Sequence, residues 1–172
     1  MNSKQTWNPT TFLVQIPFQL AREGRQSTPA LPDASRVRGM RILVVDDSTS
    51  NRLMYRYLLQ NLQCAVETCS NGEEALKRTD LSTFGIVFLD KEMPCLSGPE
   101  TARVLRTRIP EVPLVGITGS SMPAQVNLFL ESGVKEVLIK PVNVDIIVKT
   151  LLRHARWPLK SVQGGKTPID EQ

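Results

Sequence analysis

What the sequence has little of narrows its function first. It holds three cysteines, Cys64, Cys69 and Cys95, too few and too odd in number for a disulfide framework. Cys64 and Cys69 lie five apart, with no histidine or second pair to complete a zinc site, so inert reduced thiols in a cytosolic setting are expected. Long apolar runs are missing. Ile42–Val45 spans four residues, whereas a membrane-crossing helix needs about 20. Met1–Pro9 shows no positive-then-apolar leader pattern. Aromatic residues make up 5% of the chain and interleave with no basic stripe, which leaves nucleic-acid binding unsupported.

Charge of one sign is also scarce. The formal net charge is +4 over 172 residues, with five basic and two acidic groups in residues 1–39 and fifteen against thirteen in residues 40–160. The central part is nearly neutral. With 41% hydrophobic and 22% charged residues, a packed core is expected. The polar, Pro-containing stretch 21–38 reads as a linker and 158–172 as a loose tail, which leaves one domain over 39–157. Residues 1–20 form a separate preceding segment.

Within 39–157 the pattern alternates. Ile42–Val45 and Phe84–Leu89 are short, wholly apolar runs, the mark of strands buried on both faces. Ala65–Cys69, Pro113–Ile117 and Val134–Ile139 are further strands. Between them, Thr49–Leu62 carries Leu53, Met54, Tyr57, Leu58 and Leu62 at helical spacing. Helices are also predicted over Glu73–Arg78, Pro99–Thr107 and Pro123–Glu131. The last helix is the clearest, with Val144, Ile147, Val148, Leu151, Leu152 and Ala155 on one face. Five strands alternating with five helices imply an α/β fold, a doubly wound parallel sheet covered on both faces. Such sheets place ligands outside the carboxyl ends of their strands.

Those ends carry Asp46-Asp47, Asp90, Thr118 and Lys140-Pro141. Taken singly, each is ordinary: a helix N-cap pair, a solvated strand end, a turn and a loop. Their coincidence on one rim points to chemistry. Two carboxylates about 4 Å apart repel by roughly 4 kcal/mol at an effective dielectric near 20, so three need a cation to stay ionised together. Hard oxygen ligands suit Mg²⁺, which completes its shell with water and phosphate oxygens. Lys140 and Thr118 add a point charge and a hydroxyl for the remaining phosphoryl oxygens. A carboxylate nucleophile, a divalent ion and an ammonium suffice for phosphoryl transfer to aspartate.

The motifs ILVVDDS, FLDKEMP, GITGS and LIKPV, in this order and spacing over about residues 39–157, resemble the receiver (response-regulator) domains of two-component signalling. The resemblance implies a flavodoxin-like fold with strand order 2-1-3-4-5. It makes Asp90 the phosphoacceptor, Asp47 a direct metal ligand, Asp46 a ligand largely through water, and the backbone carbonyl of Glu92 a further one. It implies that Thr118 hydrogen-bonds the phosphoryl group, that Lys140 bridges it to Asp90, and that the Lys140–Pro141 peptide is cis. Two departures stand out. Val137 occupies the switch position where the family usually has an aromatic ring that moves on phosphorylation. The Glu92 side chain would stand near the phosphoryl group and alter water access.

Thr10–Phe18 alternates as a strand and is similar to the closing strand of the ATP-binding domain of histidine kinases. That order, ahead of a linker and a receiver, implies the C-terminal part of a hybrid histidine kinase. The glycine-rich and Asn-containing ATP elements are lacking, so this stretch is not expected to be a kinase. Implied partners are the phosphohistidine domain of a histidine kinase or a histidine phosphotransfer protein, with no direct contact to nucleic acid or membrane. The implied location is cytoplasmic, within a parent that can be membrane-anchored. With about fifteen residues beyond 157, output is expected through protein contacts or onward transfer.

Three other readings compete. A docking-only receiver is favoured by Val137 alone. An aspartyl phosphatase would carry its nucleophile in D-x-D on the first strand, whereas here the acid pair is on strand one and Asp90 precedes Lys91-Glu92. A flavin-binding protein would want glycines where DDSTSN stands. His154 reads as a cation at a helix C-terminus, Met93 and Cys95 as packing residues, Arg103, Arg106 and Arg108 as a solvated face, and Trp157 as a plug at the base of the domain.

Overall fold

The computed structural model describes residues 34–156. The expected strand at Thr10–Phe18, linker residues 21–33, Trp157 and the tail 158–172 lie outside the described residues. Five parallel strands, β1 (Arg41–Val45), β2 (Ala65–Cys69), β3 (Ile86–Asp90), β4 (Leu114–Thr118) and β5 (Glu136–Ile139), form one sheet in the order β2-β1-β3-β4-β5. The helices are α1 (Thr49–Asn61), α2 (Gly72–Lys77), α3 (Gly98–Arg108), α4 (Pro123–Glu131) and α5 (Val144–His154). This is the doubly wound arrangement the alternation implies, with strand starts at 84 and 134 shifted two residues later. Phe84 is nonetheless fully buried, after a single 3₁₀ turn at Leu81–Thr83.

Alternate residues of each strand feed two cores. Leu43, Val45, Val87, Leu89 and Leu114 face Ala75, Ala102, Leu105 and Phe129 of α2, α3 and α4. Ile42, Val44, Ile86, Phe88, Val115 and Ile117 face Tyr55, Leu59, Ile147 and Leu151 of α1 and α5. Every residue of β3 and β4 is buried, as expected of central strands covered on both sides.

Local signals set the helix starts. Ser48 caps α1 by accepting the Asn51 N–H, so Asp46-Asp47 is not the N-cap pair that its position after a strand allows. Ser97 and Glu100 form a reciprocal capping box on α3, with Pro99 in its first turn. Asn71 and Asn143 cap α2 and α5. The three-residue connection from β1 to α1 fixes the rotation of α1, and here the apolar pattern misleads. The buried residues are Tyr55 and Leu59, with Leu58 and Leu62 half-buried, while Leu53 and Tyr57 are 59% and 67% exposed and Met54 is exposed too.

Val37, in the stretch whose composition reads as linker, is 1% exposed and packs in the α1/α5 core beside Met40. It belongs to a 3₁₀ turn, Ala34–Val37. A lone valine among polar neighbours carries no periodicity, so only the fold reveals its place. Cys95 is exposed at a left-handed backbone position, φ 66°, and is not the packing residue its neighbour Met93 is.

Candidate functional site

The parallel topology brings the ends of β1, β3, β4 and β5 to one rim. Asp46, Asp47 and Asp90 each offer a carboxylate oxygen within 4.8 Å of the others. Asp46 is 1% and Asp90 3% exposed, whereas Asp47 is open to solvent. Lys140 lies 2.6 Å from Asp90 Oδ1 and 3.5 Å from Asp46 Oδ2 through its Nζ. The Lys140–Pro141 peptide is cis.

Thr118 ends β4 beside Asp90, since Asp90 pairs with Ile117 in the sheet register, and it is fully buried. Its hydroxyl oxygen accepts the Ser120 N–H at 3.1 Å and makes no bond to the carboxylates. Glu92 donates its backbone N–H to Asp90 Oδ2 at 3.1 Å, while its exposed side chain meets Lys91 Nζ at 3.5 Å. Lys91 also donates to Gln125 Oε1 on α4 at 2.7 Å, tying the loop after β3 to that helix. Val137 is half-buried against the α2–α4 core and pairs with Gly116 across the sheet. His154, at the C-terminal turn of α5, lies 2.9 Å from Glu136 through Nε2, a structural contact far from the rim's chemistry.

The electrostatics follow from burial and neighbours. Burial raises the Asp90 carboxyl above the ordinary range; Lys140 opposes that rise and the Asp46 charge adds to it. Burial works to lower the Lys140 ammonium, but contact with Asp90 and the charges of Asp90 and Asp46 outweigh it, so Lys140 is raised. Asp90 Oδ1 is buried and takes the Lys140 ammonium, 2.6 Å away, as its partner. That one ammonium offsets a single charge, so the carboxylates of Asp46, Asp47 and Asp90 leave the rim net negative. Three hard oxygen donors there fit a divalent cation such as Mg²⁺ better than a soft metal.

Sequence reasoning missed the residues of α1 that back this cluster. Asn51 donates Nδ2 to both oxygens of Asp46, at 3.1 and 3.0 Å. Arg52 donates Nη1 to the backbone carbonyls of Asp46 and Asp47, at 2.7 and 2.8 Å. One turn on, the buried Tyr55 has its phenol pushed up to about 12, chiefly by burial, within the fields of Lys140, Asp46 and Asp90. The available signal was polar residues in the first turn of a helix that starts three residues after a strand-end acid. Burial pushes the thiols of Cys64 and Cys69 up to about 11, which makes both unreactive at neutral pH.

Comparisons with known proteins agree with this geometry. The family model described as response regulator receiver domain matches residues 42–152. The transcription factor SKN7 of Chaetomium thermophilum is 32% identical over 124 residues, covering 71% of this chain and 16% of SKN7. The sensor histidine kinase RcsC of Escherichia coli is 31% identical over 157 residues, covering 86% of this chain and 16% of RcsC. The chain thus spans about a sixth of the length of these relatives. Among solved structures, the response regulator TrrA of Thermotoga maritima, in complex with Mg²⁺-BeF, superposes with a TM-score of 0.60 at 32% identity, covering 66% of this chain and 97% of TrrA. Among the described residues no helix is long and apolar enough to cross a membrane.

Proposed function

The chain belongs to the response regulator receiver domain family, and on that premise we propose that Asp90 accepts a phosphoryl group from a phosphohistidine in a Mg²⁺-dependent step. The observation that carries the reading is the buried Asp90 carboxylate held between Lys140 Nζ at 2.6 Å and the Glu92 N–H at 3.1 Å, with Asp46 and Asp47 beside it. Asp46, Asp47, Asp90 and the Glu92 carbonyl would hold the ion, which when bound supplies positive charge to the phosphoryl oxygens. Asp90 attacks phosphorus; the P–N bond to histidine breaks as the P–O bond forms. Lys140, already paired with Asp90, meets the developing charge on the phosphoryl oxygens. Thr118 brings a hydroxyl to the same rim, its oxygen accepting from Ser120, to donate to a phosphoryl oxygen.

The donor and acceptor partners are phosphohistidine domains of a hybrid kinase or of a phosphotransfer protein. Exposed Leu53, Met54 and Tyr57 on α1 offer an apolar face next to the rim for such a helical partner. The parent is a hybrid histidine kinase, as the preceding Thr10–Phe18 segment and the likeness to a sensor histidine kinase support. Domain limits of 39–157, extended to take in Val37, and a cytoplasmic location complete the reading. A second reading, a receiver that only docks, draws on Val137, whose short side chain cannot swing as a ring does.

Incubation with Mg²⁺ and acetyl phosphate, followed by intact-mass spectrometry, tests the proposal. One added phosphoryl group is expected on the wild type and none on Asp90→Asn or in the presence of chelator. Wild type that stays unmodified, and takes up no beryllium fluoride, would leave the docking-only reading standing.

A further inference from the structure

We propose that Asn51 is a positioning residue that sets the divalent-cation affinity of the site by holding the Asp46 carboxylate; this rests on the Mg²⁺-dependent reading above. The backbone around Asp46 is already pinned. Its carbonyl and that of Asp47 accept from Arg52, and Ser48 N–H donates to Asp46 Oδ1 at 2.8 Å. Ser48 thus holds Oδ1, and the freedom left to Asp46 is the swing of Oδ2 about that bond. Asn51 Nδ2 straddles both oxygens at 3.1 and 3.0 Å and removes that freedom.

The alternative partner for Asp46 is near. Lys140 Nζ lies 3.5 Å from Asp46 Oδ2 and 2.6 Å from Asp90 Oδ1. Opposite charges at that spacing attract strongly when buried. A released Asp46 would swing toward the ammonium, turn its lone pairs away from the space shared with Asp47 and Asp90, and spend its charge on Lys140. An amide suits the task because it is a neutral donor. It orients the carboxylate without cancelling the charge a cation needs, as an ammonium or guanidinium at the same place would. Oδ1 accepts from both Ser48 and Asn51, whereas Oδ2 accepts a hydrogen bond from Asn51 and keeps a lone pair for an ion.

The first-turn position of Asn51 on α1 makes this placement possible. Ser48 caps the Asn51 N–H, so the side chain leaves the helix on its inner face, on the turn before Tyr55 and Leu59.

The test measures Mn²⁺ binding to the full chain by the loss of the free-ion electron paramagnetic resonance signal, with Mg²⁺ in competition and no phosphodonor present. Asn51→Leu removes the donor at similar size, and Asn51→Ser keeps a polar side chain too short to reach both oxygens. Both are expected to raise the dissociation constant about ten-fold or more, with melting temperatures in the absence of metal close to wild type. Unchanged affinity in either variant, folded as judged by circular dichroism, overturns the proposal; if only Asn51→Leu weakens binding, steric obstruction replaces it. Wild type that binds neither ion would instead bring down the Mg²⁺-dependent reading itself.

Discussion

At the residue scale, the base of the sheet shows how charges far from the reacting rim set acid stability. Arg41 and Arg78 share Glu67 and Asp80, and both guanidiniums lie over the Phe84 ring, at 4.6 and 5.1 Å from its centroid. Hydrogen bonding from Arg78, against the cost of burial and with help from Arg41, holds the Asp80 carboxyl down at about 2. In an unfolded chain it titrates near about 3.9. A carboxyl lowered by folding contributes stability above its unfolded value and loses that contribution as pH falls through its folded value. Asp80→Asn is therefore expected to melt below wild type at pH 6, with the gap closing between pH 5 and pH 2. A gap that stays constant across that range would show that Asp80 titrates as it does in the unfolded chain. This cluster was not legible in the sequence, because Arg41 of β1, Glu67 of β2, and Arg78 and Asp80 of the connection from α2 to β3 meet only once β1 pairs with both β2 and β3. The rim acids and Lys140 were legible, since strand ends of one direction must share an edge. Asn51 and Tyr55 were not, because their value depends on how α1 is rotated, and an apolar pattern on more than one side of that helix left the rotation open.

At the scale of elements, α4 is locked to the sheet by one ring. Phe129 is fully buried over Gly116 of β4, and a Cβ added there would lie 2.5 Å from Phe129 Cε1. Gly116 also pairs with Val137 in β5, and Val137 packs into the same core as Phe129. Val137 from the strand and Phe129 from the helix thus fill one core on either side of Gly116. Glycine at 116 is dictated by this close approach, not by backbone conformation. Gly116→Ala is expected to cost about 1–3 kcal/mol in urea unfolding, the usual range for overpacking. Phe129→Leu in the same chain should recover part of that loss, and a double-mutant cycle should give a coupling of about 0.5–3 kcal/mol. Additive losses would mean that the ring moves aside without strain. The sequence offers Gly116 and Phe129 thirteen residues apart on different elements, with nothing to pair them before the β4–α4 crossover is in place.

At the scale of the whole molecule, the fold was largely legible because it repeats one rule. Short buried runs alternate with capped helices, and right-handed crossovers then place helices on both faces. What the rule does not fix is where the domain begins, as buried Val37 shows. The same rule has an energetic consequence. A fold that delivers three carboxylates to one rim, with a single nearby ammonium, stores repulsion there in the absence of a divalent ion. An ion that binds the native state but not the unfolded chain stabilises the entire domain by mass action, about 2.7 kcal/mol at one hundred times its dissociation constant. The melting temperature is therefore expected to rise by several degrees with millimolar MgCl₂, and to rise much less with NaCl of equal ionic strength. Asp47→Asn, at a solvent-exposed position with the fold's core untouched, relieves part of that repulsion, so it should raise the metal-free melting temperature and lose most of the Mg²⁺ increment. Equal shifts in the two salts would show that general screening, not an ion held between these acids, relieves the rim.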